Sequence, residues 1–166
     1  MERILIPKER ANALEKEGLE AIQKKLRCKI TVQGANEVII EGEPYDEYNA
    51  KNVIQAFGRG FSLASACKLL NEQYFIKYID LRDMFRNKVQ IRRLKARVIG
   101  EDGRSKVYIE SVSEAEVSIY GDTISILGKI SGIEIAAIGI ESLLEGDTHK
   151  KAYRLMEQAR RREEGL

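Results

Sequence analysis

Three blocks of sequence occur twice in this chain, in the same order, and no other feature restricts its fold as much. Ala13-Leu14-Glu15-Lys16-Glu17-Gly18 parallels Val98-Ile99-Gly100-Glu101-Asp102-Gly103. Cys28-Lys29-Ile30-Thr31-Val32-Gln33-Gly34 parallels Ala115-Glu116-Val117-Ser118-Ile119-Tyr120-Gly121. Val38-Ile39-Ile40-Glu41-Gly42 parallels Ile124-Ser125-Ile126-Leu127-Gly128. Gaps of a residue or two align all three. Ordered self-similarity of this kind marks a small supersecondary unit built twice, and 166 residues are enough for two small domains.

The periodicity in each half predicts the same run of elements. In the first, Ile4-Leu5-Ile6 is a strand stopped by Pro7, and residues 8–18 and 19–26 are helical. Ile30 and Val32 alternate with polar residues as in a strand, Gly34-Ala35-Asn36 is a turn, and Val38-Ile39-Ile40 is the next strand. A helix from Asp46 to Phe57 points Tyr48, Val53, Ile54 and Phe57 inward. In the second half, Tyr74 to Asp80 is a strand, and Tyr74, Phe75 and Tyr78 read as core in preference to a stacking platform for bases. Val89–Ile99 and Arg104–Val112 are helices, residues 116–120 and 123–127 form a hairpin about Gly121-Asp122, and residues 130–144 are a helix. Both halves read β-α-α-β-β-α, an α+β fold. The expected domains are residues 1–60, and residues 61–166 with a linker helix at 62–71 and a polar C-terminal helix from Asp147.

The second copy of the first block interrupts a helix with Gly100-Glu101-Asp102-Gly103. Two glycines let the backbone turn sharply and approach a sugar-phosphate chain. The helix that follows points free N–H groups and its positive dipole end at the same place. Residues 88–106 hold seven basic side chains (Lys88, Arg92, Arg93, Lys95, Arg97, Arg104 and Lys106) against Glu101 and Asp102, whereas the whole chain is only +2. A Walker A loop is excluded, because Gly100 to Ser105 is too short for it. Arg93, Arg97, Val98, Ile99, Gly100, Glu101, Asp102, Gly103, Arg104, Ser105, Lys106, Val117 and Ile119 are therefore the candidate RNA-binding residues. By the resemblance of this loop to that of a KH domain, Val98, Ile99, Val117 and Ile119 would form an apolar floor on which bases lie. The first-half counterpart is taken as Glu15-Lys16-Glu17-Gly18, where a carboxylate replaces the first glycine.

A Gly-x-x-Gly loop between two helices, with a β-hairpin after it, resembles the signature of a KH domain, and this element order is type I. The chain as a whole resembles the archaeal KH-domain ribosome-biogenesis proteins of the KRR and partner-of-Nob (Dim) family, over about residues 3–145. The marks are the degenerate first unit, Ala56-Phe57-Gly58-Arg59-Gly60-Phe61, Tyr74-Phe75-Ile76 with Ile79-Asp80-Leu81-Arg82, and the intact Gly100–Gly103 loop. The acidic Glu101-Asp102 pair departs from the more basic or glycine-rich loops of that family. The resemblance implies two tandem type I KH domains. It also implies a single-stranded RNA-binding assembly factor for the small ribosomal subunit, acting near the 3′ end of its rRNA through the second domain. The partners it implies are that rRNA, the endonuclease that forms the end, and a translation initiation factor subunit. The alternatives are a non-catalytic interaction scaffold and an exosome-cap-like subunit.

Other residue types narrow the function further. Two isolated cysteines, Cys28 and Cys67, and one histidine, His149, offer no metal-ligand spacing, so no metal or cofactor is expected. No paired acidic cluster with a neighbouring histidine suggests catalysis, and an enzyme is not expected. No apolar run approaches roughly 18 residues, and Met1 to Pro7 lacks a signal-peptide core, so a cytoplasmic protein is expected. Arg160-Arg161-Arg162 reads as a solvated face, with a phosphate-binding extension as the alternative.

Overall fold

A strand with alternating apolar residues needs a cover on one face, and each half of the chain supplies that cover with helices. A computed structural model describes residues 1–165. It divides into two compact units, Met1–Glu72 and a second that begins at Gln73. Among the described residues no helix is long and apolar enough to cross a membrane.

The first unit runs β1 (Glu2–Leu5), α1 (Lys8–Lys16), α2 (Leu19–Leu26), β2 (Lys29–Gln33), β3 (Glu37–Glu41), α3 (Pro44–Gly58) and α4 (Leu63–Ala66), then a 3-10 turn at Cys67–Leu70. β3 is the middle strand, antiparallel to β1 and β2. Its Val38 and Ile40 are fully buried opposite Val32 and Ile30. α3 starts on Pro44, whose missing N–H costs nothing at a helix start, and it buries Ala50, Val53, Ile54 and Phe57. Tyr48 lies on the other side of that helix and is 63% exposed, against the expectation from periodicity.

The expected domain boundary at residue 60 moves to 72. The linker helix belongs to the first unit, because Ala66 is fully buried and α4 packs on α3. Arg10 also holds the Phe61 carbonyl within that unit.

The second unit runs β4 (Phe75–Asp80), α5 (Leu81–Met84), α6 (Lys88–Ile99), α7 (Arg104–Ser113), β5 (Glu116–Tyr120), β6 (Thr123–Gly128), α8 (Ile130–Leu144) and α9 (His149–Glu163). β6 is the middle strand, antiparallel to β4 and β5. The short α5, capped by the Asp80 side chain on the Arg82 N–H, was not foreseen. Phe75 is 45% exposed and Tyr74 half-buried, so the expected aromatic core at this strand is incomplete. α8 is buried along most of its circumference, and α9 packs on it through Ala152 and Met156. A Cβ at Gly139 would lie 2.2 Å from the Met156 sulfur, so glycine is what lets the two helices come this close.

The internal repeat reappears in the contacts. Arg10 donates from Nε to the Phe57 carbonyl (2.8 Å) and from an Nη to the Phe61 carbonyl (2.7 Å), with its guanidinium 4.1 Å over the Phe57 ring. Arg97 donates in the same way to the carbonyls of Leu143 and Asp147. Arg10 and Arg97 stand 87 positions apart, and so do two pairs that cap a strand edge. The Ile30 N–H donates to the Gln23 side chain at 2.7 Å, and the Val117 N–H donates to Glu110 at 3.0 Å. Arg27 and Glu114, again 87 apart, end α2 and α7 in the left-handed conformation.

The stretch from clamp to edge cap therefore has one length in both units. Residues 13–16, not 15–18, occupy the positions of Gly100–Gly103. In the first unit those positions stay helical, with Leu14 fully buried and only Glu17 and Gly18 left to make the turn.

Removing Arg10 leaves the partly buried Phe61 carbonyl without a donor and the Phe57 carbonyl with the Gly60 N–H alone. Arg10→Ala should lower stability by about 2 kcal/mol, read as a lower urea midpoint with faster amide exchange in α3. Arg10→Lys should restore only part of it, because an ammonium cannot match two acceptors as a planar fork does.

Candidate nucleic-acid interface

α6 stops at Ile99 because Gly100 takes φ 77°, ψ 172°, a conformation open in practice to glycine alone. Sterics add a second reason. A Cβ at Gly100 would lie 2.6 Å from the Ser105 Cβ and 2.7 Å from the Ser105 nitrogen. Gly103 differs. Its φ is 75° and ψ 10°, but nothing lies within 4 Å of where its Cβ would be. Between them Asp102 also sits in the left-handed region (φ 54°), which a short polar side chain tolerates better than most. The chain reverses over these residues, closed by a Gly103 N–H to Gly100 carbonyl bond of 3.2 Å.

α7 then begins at Arg104 with no side chain capping its first N–H groups. Gly103 thus faces open space beside an uncapped helix start. The Arg104 N–H turns back to the Glu101 carbonyl, and the positive end of the helix dipole points to this opening, an arrangement suited to an anion.

The basic residues divide into two groups. Arg93 and Arg104 are exposed and make no hydrogen bond or ion pair among the described residues, and Arg92 matches them. Lys106 pairs with Glu110 at 3.4 Å, one turn along α7. Arg97, expected at the phosphates, is turned the other way and clamps the end of α8. Lys95 is likewise engaged, with the Gly121 carbonyl at 2.8 Å and Asp122 at 3.3 Å. A basic side chain on a helix is satisfied equally by a phosphate and by backbone carbonyls, and the carbonyls lie within reach here.

The expected apolar floor also divides. Val98 and Val117 are core residues, 0% and 3% exposed. Ile99 is exposed, and Ile119 is half-buried at the margin of the core. β5 is an edge strand, paired only with β6. Its Val117 N–H points outward to Glu110, and strand alternation turns the N–H and carbonyl of Ile119 to the same free edge. Glu110 of α7 borders this edge, and Ile99, Val107 and Ile119 are the apolar side chains left accessible at the end of α6, the start of α7 and β5. Ser105 lies beneath the loop at 2% exposure, and its hydroxyl has no hydrogen-bond partner. Glu101 and Asp102 are exposed.

Several residues that shape the site were missed. Glu110 holds the strand edge, a role that spacing alone does not reveal. The Tyr108 ring stacks on Tyr153 with centroids 4.0 Å apart, and its hydroxyl donates to Glu157. Burial, then the Glu157 carboxylate, push the Tyr108 phenol up to about 12. His149 lies edge-on to Tyr153, with Nε2 2.9 Å from the Arg97 carbonyl. Next to it the Asp147 carboxyl is held below its ordinary range by the Ser142 hydroxyl and the Lys151 ammonium.

Comparison with known proteins agrees with this geometry. A family model described as a eukaryotic-type KH domain (type I), the second such domain of PNO1 proteins, matches residues 75–161. A KH domain-containing protein of Methanocaldococcus jannaschii is 37% identical over 98% of this chain and 75% of its own length. The pre-rRNA-processing protein pno1 of Aspergillus fumigatus is 31% identical over 62% of this chain and 42% of its own length. The chain spans well under half of such fungal relatives. A crystal structure of Pyrococcus horikoshii Dim2p in complex with initiation factor a/eIF2alpha and rRNA superposes with a TM-score of 0.87 at 35% identity, covering 97% of this chain and 94% of that one. The resemblance drawn from sequence took in KRR proteins as well, whereas these relatives are Dim2 and PNO1 proteins. This chain belongs to the PNO1-type KH-domain family, the homologues of Dim2 and PNO1.

Proposed function

We propose that this chain is a single-stranded RNA-binding assembly factor for the small ribosomal subunit, gripping rRNA near its 3′ end at the Gly100–Gly103 loop. The observation that carries this is the open, glycine-lined approach at Gly103, set beside an uncapped helix start and a free strand edge. KH loops clamp about four nucleotides in this manner. Arg93, Arg104 and Lys106 supply charge, Ile99 and Ile119 supply apolar contact, and the free backbone edge at Ile119 supplies hydrogen bonds to a base. Arg97, Val98, Ser105 and Val117 act from within, by holding the loop and the strand in place.

The first unit is a KH unit without a clamp. It repeats the element order, the arginine fork and the strand-edge cap, but it keeps helix where the loop should be. Its role is packing or contact with protein. The relatives point to the same setting, since one is a pre-rRNA-processing protein and the Dim2p complex holds rRNA and an initiation factor. We take rRNA, an initiation factor subunit and the rRNA-processing endonuclease as the partners, the cytoplasm as the location, and binding without catalysis as the activity.

Gly103→Asp should test the clamp cleanly. Its Cβ has open space, the left-handed conformation costs only about 1 kcal/mol, and the new carboxylate stands where a phosphate would lie. Affinity for a short single-stranded RNA should fall at least about tenfold by fluorescence anisotropy, with the melting curve little changed. Gly18→Asp is placed alike, with φ 87° and open space, and should leave binding intact. A greater loss from Gly18→Asp would reverse the roles of the two units. Gly100 is unsuited to this test, because any side chain there collides with Ser105.

Affinity should also fall with salt. At about 0.7 per phosphate for a single strand, three or four phosphates give a log-log slope of about −2 to −3. Arg104→Gln should make that slope shallower, whereas Ile119→Asn should weaken binding and leave it unchanged. Equal affinity for a single strand and its duplex, or a slope near zero, would refute the clamp.

A further inference from the structure

Three of the free cations of the C-terminal helix are arranged in a row, with Arg162, also exposed and unpaired among the described residues, off its line. Lys150, Arg154 and Arg161 recur at spacings of four and seven residues, which stacks them on one face of α9. All three are exposed, and none makes a hydrogen bond or ion pair among the described residues. Their neighbours differ. Lys151 pairs with Asp147 at 3.0 Å, and Arg160 is held by Glu164 and by the Val112 carbonyl. Glu157 falls on the same face, but its carboxylate accepts the Tyr108 hydroxyl.

Contacts with α6 and α7 give the row a direction. His149 at the start of α9 reaches the Arg97 carbonyl, three residues before Gly100. Tyr153 stacks on Tyr108, and Arg160 bonds to the Val112 carbonyl. α9 therefore begins beside the glycine loop and runs in the same direction as α7, away from the loop. Lys150 stands at the loop end, with Arg161 about 16 Å further on.

We propose that this row is a second phosphate-binding track for the same RNA strand, continuing past the segment held at Gly100–Gly103. The proposal rests on the clamp described above and extends its footprint. Cations in line, with no partner in the protein and adjoining the clamp, match a polyanion whose charges repeat along a chain. Each contact is weak by itself in water, but each neutralised phosphate releases a counterion. The track adds affinity and reach with no sequence preference.

The test uses the full chain, an RNA of about four nucleotides that fills the clamp alone, and one of about twelve that contains it. In the variant Lys150→Gln/Arg154→Gln/Arg161→Gln, affinity for the longer RNA should fall about tenfold at low salt. Its salt slope should become shallower by about 2, for three phosphates. Affinity for the shorter RNA should stay the same. Gly103→Asp should weaken both. The proposal is overturned if the triple variant keeps wild-type affinity and slope for the longer RNA, which would assign the row to a protein partner. It is also overturned if both RNAs lose affinity equally. If the wild-type chain does not hold the shorter RNA, the clamp fails, and the longer RNA still decides the track.

Discussion

An arginine fork closes each unit. The last carbonyls of α3 and α8 have no donor within their own helices, and they sit at the negative end of a helix dipole. Arg10 and Arg97 answer both conditions with one planar cation, each bonding a carbonyl in the last helical turn and another four residues on. The fork joins an early helix of the unit to its last core helix, across the intervening strands. In the second unit it acts three residues ahead of Gly100, so the place of the loop follows from it. His149 adds a further bond to the Arg97 carbonyl, which ties α9 to the same point.

With the fork and the strand-edge cap at matched positions, the two units differ in how they use the residues between. The first keeps helix through these positions, because Leu14 is buried where Glu101 is exposed, and its one glycine, Gly18, comes only after α1 has ended. The second breaks at Gly100, reverses through Asp102 and Gly103, and starts a new helix that no side chain caps. One scaffold thus carries an acidic turn at Glu17 and Gly18 in one unit and a glycine loop flanked by free arginines in the other. The difference comes from Gly100, a glycine that no side chain can replace, since Gly18 faces empty space just as Gly103 does.

The charge near the loop is smaller than its sequence suggests. Lys95 and Arg97 are committed to backbone carbonyls, and Lys106 shares its charge with Glu110. Lys88, Arg92, Arg93 and Arg104 remain free on α6 and α7, and Lys150, Arg154, Arg161 and Arg162 on α9, among the described residues. Affinity for a polyanion then rests on a few exposed cations spread over three helices, consistent with a chain whose net charge is only +2.

The sequence by itself determined the strands, the principal helices, their order and the loop, because period-2 and period-3.6 patterns and paired glycines are local signals. It also determined the repeat, although the first-unit loop was aligned two residues late, since Glu15 to Gly18 mimics the spacing of Gly100 to Gly103 without the break. Only the tertiary structure decided which basic side chains are free. Arg97 and Arg104 look alike in sequence, and what separates them is the presence of carbonyls from residues 143 and 147 within reach of one. Only it decided that Val98 and Val117 are core while Ile99 and Ile119 are accessible, because the edge of a sheet depends on strand order. The same holds for α9, polar in composition yet fixed by Ala152 and Met156 against α8 and by Tyr153 against Tyr108, since no periodicity announces the glycine and the tyrosine that receive them.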